Sequence, residues 1–270
     1  MTFLLIDGTN LAHRLYHIQK ATSSSEKLDL AKTMRRSITA LIEKHQPTHC
    51  AIAFDNHEPT RRHQQYPEYK QGRKEKEFAL RDALAQTEQY FIELGSGIVA
   101  PIGYEADDVL ATLATKAKSM TKLIYSGDRN LFQLVDETTA ILYPHKGKTS
   151  ILDAVAVYEK MQVHPHQITD FKGLYGDTSD NIPGVPRIGA KTASTLLAKY
   201  NSNAERTASI EEIFNHLWQI SPAIYQKLRF HQEIALLSKK LATLERELSL
   251  APCTLQQLRC QSKKAKADMV

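Results

Sequence analysis

Phe3-Leu4-Leu5-Ile6-Asp7 is an apolar run of strand length closed by a carboxylate, and the same arrangement returns along the chain. Asp55 ends Cys50-Ala51-Ile52-Ala53-Phe54, and Asp128 ends Leu123-Ile124-Tyr125-Ser126-Gly127. Glu105, Asp107 and Asp108 follow Ile98-Val99-Ala100-Pro101-Ile102 and open a helical pattern. Asp177 and Asp180 lie in the loop Gly176-Asp177-Thr178-Ser179-Asp180-Asn181-Ile182-Pro183-Gly184. Strand-like segments at 2–7, 49–55, 97–103, 122–128 and 139–144 alternate with helical patterns at 27–45, 78–94, 105–118 and 130–136. That rhythm predicts an α/β fold with a mainly parallel sheet flanked by helices. Parallel strands deliver their C-terminal ends to one edge, so these eight acids are predicted to converge. Singly, each is an ordinary turn or N-cap residue. Together they would repel strongly unless divalent cations neutralised them.

The remaining composition fits that reading. A chain of 270 residues, 42% of them hydrophobic, can bury a real core. Its net charge is +5 despite the acidic set, which suits a polyanionic partner. Cys50, Cys253 and Cys260 are few, odd in number and lack zinc or redox spacing, as in a reducing compartment. No apolar run approaches membrane-spanning length and no leader pattern opens the chain, so a cytoplasmic protein is expected. His13 and His17 lack an HExxH arrangement and read as ordinary surface or core histidines.

The organisation expected is an α/β core over 1–150, a helical subdomain over 151–240 and a C-terminal segment, 241–270, with the basic tail Lys263-Lys264-Ala265-Lys266. Residues 22–26 and 201–207 read as loops. Mg²⁺ takes one or two carboxylates and keeps several waters, so eight acids suggest two sites, or one with outer partners. Two such ions about 3.5–4 Å apart can flank a phosphodiester.

Two further motifs suit a nucleic acid. Tyr66-Pro67-Glu68-Tyr69-Lys70-Gln71-Gly72-Arg73 interleaves aromatics and cations just after Asp55, with Arg61, Arg62 and His63 before it. Lys70 and Arg73 are placed to hold a phosphate, and Tyr66 or Tyr69 to stack on a base. Gly184-Val185-Pro186-Arg187-Ile188-Gly189-Ala190-Lys191 offers a glycine turn leading into a helix start. Gly184, Arg187, Gly189 and Lys191 would there meet the sugar–phosphate backbone without reading sequence.

In this order, Asp7-Gly8-Thr9-Asn10, Phe54-Asp55, Tyr69-Lys70-Gln71-Gly72-Arg73, Tyr104-Glu105-Ala106-Asp107-Asp108, Ser126-Gly127-Asp128 and Gly176–Val185 resemble the 5′-nuclease (flap endonuclease) superfamily. The chain is most similar to the 5′–3′ exonuclease domain of bacterial DNA polymerase I and to the stand-alone exonuclease IX. No polymerase sequence follows, so the free-standing type is expected. The resemblance spans roughly 2–240. It implies a PIN-like core, a helix–three-turn–helix that tracks duplex DNA, and Mg²⁺- or Mn²⁺-dependent hydrolysis at 5′ flaps and single-strand–duplex junctions by a monomer. It further implies a first metal at Asp7, Asp55, Glu105 and Asp108, with Asp107 reaching through water. A second would sit at Asp128, Asp177 and Asp180. Lys70 and Arg73 would engage the scissile phosphate, with Arg14 nearby. A K⁺ ion would rest on the backbone carbonyls of Gly184, Val185, Pro186 and Ile188.

One position departs from the family pattern. A second acid is usual two residues after Asp128, and Asn130 stands there. An amide oxygen can ligate Mg²⁺ but brings no charge, so the second site is expected to be weakened without being lost. The alternative from another class is a structure-specific DNA binder whose nuclease has decayed. A haloacid-dehalogenase-type phosphatase, prompted by Ile6-Asp7-Gly8-Thr9, would need its nucleophilic Asp where Leu5 stands.

Overall fold

The computed structural model describes residues 1–22, 29–73, 77–199, 208–251 and 253–260. The loop expected at 201–207, most of that at 22–26, and the basic tail lie outside the described residues. Six strands form one sheet: β1 (Thr2–Asp7), β2 (His49–Phe54), β3 (Gly97–Val99), β4 (Thr121–Tyr125), β5 (Thr139–His145) and β6 (Lys148–Leu152), in the order β3-β2-β1-β4-β5-β6. All neighbours are parallel except β5 and β6. The described helices are α1 (Gly8–Thr22), α2 (Leu30–His45), α3 (Arg61–Gln65), α4 (Phe78–Glu93), α5 (Ala106–Lys116), α6 (Ala154–Met161), α7 (Ile168–Tyr175), α8 (Ala190–Lys199), α9 (Ile210–Asn215), α10 (Pro222–Phe230) and α11 (Gln232–Ala242). No described helix is long and apolar enough to cross a membrane.

Strand β1 shows why the sheet is covered on both faces. Side chains alternate along a strand. Phe3 and Leu5 join a core with Val109 and Leu110 of α5, and Leu4 and Ile6 join another with Met34 and Ile38 of α2. A strand buried on both faces reads as an unbroken apolar run. Helix α1 begins directly after β1, because Gly8 has no Cβ: one placed there would lie 2.6 Å from the Phe54 ring and 2.9 Å from the Ala53 carbonyl oxygen.

Four local features differ from the sequence reading. Helix α1 was not among the expected helices. The third strand stops at Val99 rather than at 103, because Pro101 enters a turn in which the Tyr104 N–H donates to the Pro101 carbonyl. Residues 129–134 form a 3₁₀ turn, capped by Asp128, rather than an α-helix. Strand β6 was also missed, as four of its five residues are exposed and carry no apolar alternation. Lys146 and Gly147, both at positive φ, turn the chain tightly into it.

After α11 the chain runs without regular structure and packs onto the core through Leu244, Leu248, Leu250 and Leu258. Its described residues reach β2, where Cys50 N–H donates to Leu258 O and Cys260 N–H to Thr48 O, each at 2.9 Å.

Candidate active site

The parallel strands bring Asp7, Asp55 and Asp128 to one sheet edge, and the start of α5 adds Glu105 and Asp107. These five acids line one cleft of about 690 Å³. Local hydrogen bonds set each of them. Asp7 accepts from Asn10 N–H and Ser126 Oγ, both at 2.8 Å. Asp55 accepts from Ala106 N–H at 2.9 Å, and its own N–H donates to Thr9 Oγ1. Asp128 accepts from Asn130 N–H at 2.7 Å.

Burial and mutual repulsion raise the proton affinity of Asp7, Asp107 and Asp128. Burial, with Asp55 and Asp128 nearby, pushes the Asp7 carboxyl up to about 7. Burial, reinforced by Asp128 and Glu105, holds the Asp107 carboxyl well above its ordinary value, and burial also raises Asp128. Clustered oxygens short of positive charge are the donor chemistry of a hard divalent cation. Among the described residues no three His, Cys, Asp or Glu side chains already close into a cluster that would hold a metal ion. The donor set fits a divalent ion, and the ion itself would have to draw it together.

The other acids are placed differently. Asp108, expected among the ligands, does not line the cleft. One of its oxygens accepts from Arg62 Nη2 (2.7 Å) and Glu245 N–H (2.9 Å), the other from Arg62 Nη1 (2.8 Å) and Glu105 N–H (3.1 Å). Both oxygens are thereby filled. Arg62 also donates to the carbonyls of Leu241 and Thr243, so this buried pair ties α3, α5 and the chain beyond α11 together. Of this adjacent pair, Asp107 lines the cleft and Asp108 is held by Arg62.

Asp177, Asp180 and Asn130 do come together, but around protein cations. Lys172 Nζ donates to both Asn130 Oδ1 and Asp177 Oδ2. Asn130 Nδ2 donates to Asp180 Oδ2 at 3.0 Å, and Asp180 Oδ1 accepts from Arg73. Burial opposes the Asp177 charge, yet Lys172 and the Ser179 donors together outweigh it and hold the carboxyl below its ordinary value. Protein cations thus hold the residues at which the resemblance implies a second, weakened metal site. Lys172 carried a signal that sequence reading passed over: a lone cation in Phe171-Lys172-Gly173-Leu174, five residues before Asp177.

The basic segment is only partly free. Lys70, at φ 57°, donates through Nζ to Glu105 Oε1. Burial opposes its charge, but Glu105, Asp107 and Asp180 hold the ammonium above the ordinary lysine value. Arg73 keeps half its side chain exposed while bonding Asp180. Tyr69 is buried, with its hydroxyl donating to Glu105 Oε2 at 3.1 Å, so it has no face for a base. Tyr66 is half-buried against the same small cluster, with Ile182 and Leu241. Arg14 donates to Tyr125 OH at 2.7 Å and does not line the cleft. His13, His17, His57 and His63 do line it, the first two stacked with ring centroids 6.5 Å apart.

In the loop before α8, Gly184 sits at φ 62°, and a Cβ there would lie 2.3 Å from Gly176 N. Only glycine permits that approach. The Gly184 N–H donates to Ser238 Oγ, and Gly184, Val185 and Ile188 are buried. Pro186, Arg187, Gly189 and Lys191 are exposed at the tip, and Arg187 adopts φ 63° with its carbonyl accepting from Lys227.

Residues 2–162 match the family model of the 5′–3′ exonuclease N-terminal resolvase-like domain, and residues 163–266 that of the 5′–3′ exonuclease C-terminal SAM fold. The chain belongs to the 5′–3′ exonuclease family. It is 35% identical over 254 residues to flap endonuclease Xni of Psychromonas ingrahamii, with 92% of this chain and 94% of that protein covered. It is 33% identical over 265 residues to DNA polymerase I of Mycobacterium bovis, covering 94% of this chain but only 28% of that protein. The chain thus spans less than a third of the polymerases it matches. The T5 D15 protein co-crystallised with metal ions superposes with a TM-score of 0.76 at 21% identity, covering 91% and 90% of the two chains. A DNA and metal complex of the bacteriophage T5 D15 flap endonuclease superposes with a TM-score of 0.72 at 22% identity, covering 91% and 90%. The fold of the 5′–3′ exonuclease family, a PIN-like resolvase domain followed by a helical SAM-like region, is therefore the fold of this chain.

Proposed function

We propose that the chain is a divalent-metal-dependent 5′ nuclease that hydrolyses DNA phosphodiesters at 5′ flaps and single-strand–duplex junctions. The observation that carries this reading is the convergence of five acids on one cleft that Lys70 and Arg73 also line. Asp7, Asp55, Glu105, Asp107 and Asp128 would hold the ion, which supplies Lewis-acid activation of water and neutralisation of charge building on the phosphate.

The protein's own groups do the rest. Thr9, Asn10 and Ser126 fix the directions of Asp55 and Asp7. Arg73, half-exposed at the cleft wall, can turn its planar fork to a phosphate. Lys70 can do so once a cation takes over the charge of Glu105. The tip at 186–191 presents Arg187 and Lys191 to duplex backbone, and the carbonyls of Gly184, Val185, Pro186 and Ile188 are candidates for a K⁺ ion bridging to phosphate. The naming of one relative as a flap endonuclease, and of a structural neighbour as a flap endonuclease in complex with DNA and metal ions, supports the same substrate class for this chain.

The test is single-turnover cleavage of 5′-labelled flap, nicked and single-stranded DNA with Mg²⁺, Mn²⁺ or EDTA. Metal-dependent cutting near the junction is expected. Tight flap binding without cutting under any metal would favour the DNA-binder alternative.

A further inference from the structure

The acids after α7 meet a cation that belongs to the chain. Lys172 is buried in α7 beside Phe171, Gly173 and Leu174, with 4% of its surface exposed. Its Nζ bridges Asn130 Oδ1 and Asp177 Oδ2. The neutral amide of Asn130 then links this ammonium to Asp180, which Arg73 already pairs. Two carboxylates, two cations and an amide leave the cluster with no net charge. An incoming dication would have to strip oxygens from an ammonium that is almost wholly buried, and stand beside it at low dielectric. Four of the five cleft acids are in the opposite state: among the described residues Asp7, Asp55, Asp107 and Asp128 have no direct ion-pair partner, and Glu105 alone is paired, with Lys70 and Arg62.

We infer that this nuclease has a single divalent site, in the cleft of Asp7, Asp55, Glu105, Asp107 and Asp128, and that the Lys172 ammonium permanently occupies the second cation position. This rests on the nuclease reading above. Asn130 is then the matched partner of Lys172: its oxygen accepts from the ammonium and its NH₂ donates to Asp180, an arrangement a carboxylate cannot reproduce because it has no donor. Lys172 is a positioning residue. It holds Asn130 and Asp177 and acts on the reaction only through them. It also follows that Asn130→Asp alone would leave the number of bound ions unchanged, because the new carboxylate would pair with Lys172.

The experiment counts ions directly. The full chain is titrated with Mn²⁺, free Mn²⁺ is read by electron paramagnetic resonance, and flap cleavage is followed in parallel. One Mn²⁺ per chain is expected for the wild type and for Asn130→Asp, and two for Asn130→Asp combined with Lys172→Met. Two ions in the wild type, with cleavage intact, would overturn the single-site inference and leave the nuclease reading standing. No bound ion together with no cleavage would remove both. One ion in a folded double variant would overturn the role given to Lys172. Should the double variant not fold, the wild-type count alone decides whether there is one site.

Discussion

The acids of the cleft and the acids beyond it are the same chemistry in opposite electrostatic states. Asp7, Asp107 and Asp128 are crowded and buried, and each is pushed towards its protonated form. Asp108, Asp177 and Asp180 are equally enclosed but already paired, with Arg62, Lys172 and Arg73. Burying a charge is costly unless a partner offsets it. A satisfied carboxylate therefore serves the fold, while one left in deficit is available to an external cation. Proximity to the site does not separate the two groups, since Asp107 and Asp108 are adjacent in sequence and only the first lines the cleft.

The largest expected effect tests the satisfied side. Asp108→Ala takes the two-point carboxylate partner from buried Arg62 and leaves two backbone N–H groups without an acceptor, and should destabilise the fold by about 3–5 kcal/mol. Urea denaturation measures it. A loss below about 1 kcal/mol would show that Asp108 is not the tie between α3, α5 and the chain beyond α11.

Asp107→Asn tests the other side. It removes charge where charge is in excess, so stability should hold or rise, while single-turnover cleavage falls roughly a hundred- to a thousand-fold. Binding to a flap in Ca²⁺ should change much less. If Asp107→Asn instead unfolds the protein and leaves the residual rate intact, the two groups of acids are not distinct.

A smaller signature lies in pH. The Asp7 carboxyl is raised from 3.8 to about 7 in the folded chain by burial, with Asp55 and Asp128 adding to it. The folded state therefore binds this proton more tightly than the unfolded state. The stability it contributes is fully present below about pH 4 and is lost as pH rises through 7. Between pH 5.5 and 8, without divalent ion, Asp7 should account for roughly 2 kcal/mol of falling stability. Thermal melts of the wild type and Asp7→Asn across that range measure the term. Identical slopes would remove the charge deficit assigned to Asp7, and added Mg²⁺ should flatten the wild-type profile.

The smallest effect belongs to neither group and serves as a control. Arg187 holds a left-handed backbone at φ 63° on the exposed tip before α8. Arg187→Gly relieves that strain but loosens the unfolded chain, so stability should move by less than about 1 kcal/mol. Duplex affinity should fall, and the slope of log K against log salt should drop by about one contact. Mn²⁺ affinity should be untouched. A change there would mean that the tip and the cleft are coupled.

Much of this was written in the chain itself. The apolar runs ending in Asp7, Asp55 and Asp128 specify parallel strands and the edge at which acids gather, because strand period and burial on both faces are local properties. The glycines of 184–189 likewise mark the tight turn before α8. The exposed edge strand β6 left no such trace, since its side chains alternate against nothing.

The state of each acid was decided only by tertiary structure. Arg62 lies 46 positions before Asp108, and Lys172 lies 42 positions after Asn130. No window of sequence shows that these partners meet, or that Lys70 is occupied by Glu105, 35 residues away. A carboxylate has the same ligand chemistry wherever it stands. Whether it is left in deficit depends on which distant cation the packing brings within hydrogen-bonding reach, because pairing in a dry interior is short-ranged and set by the positions of whole elements.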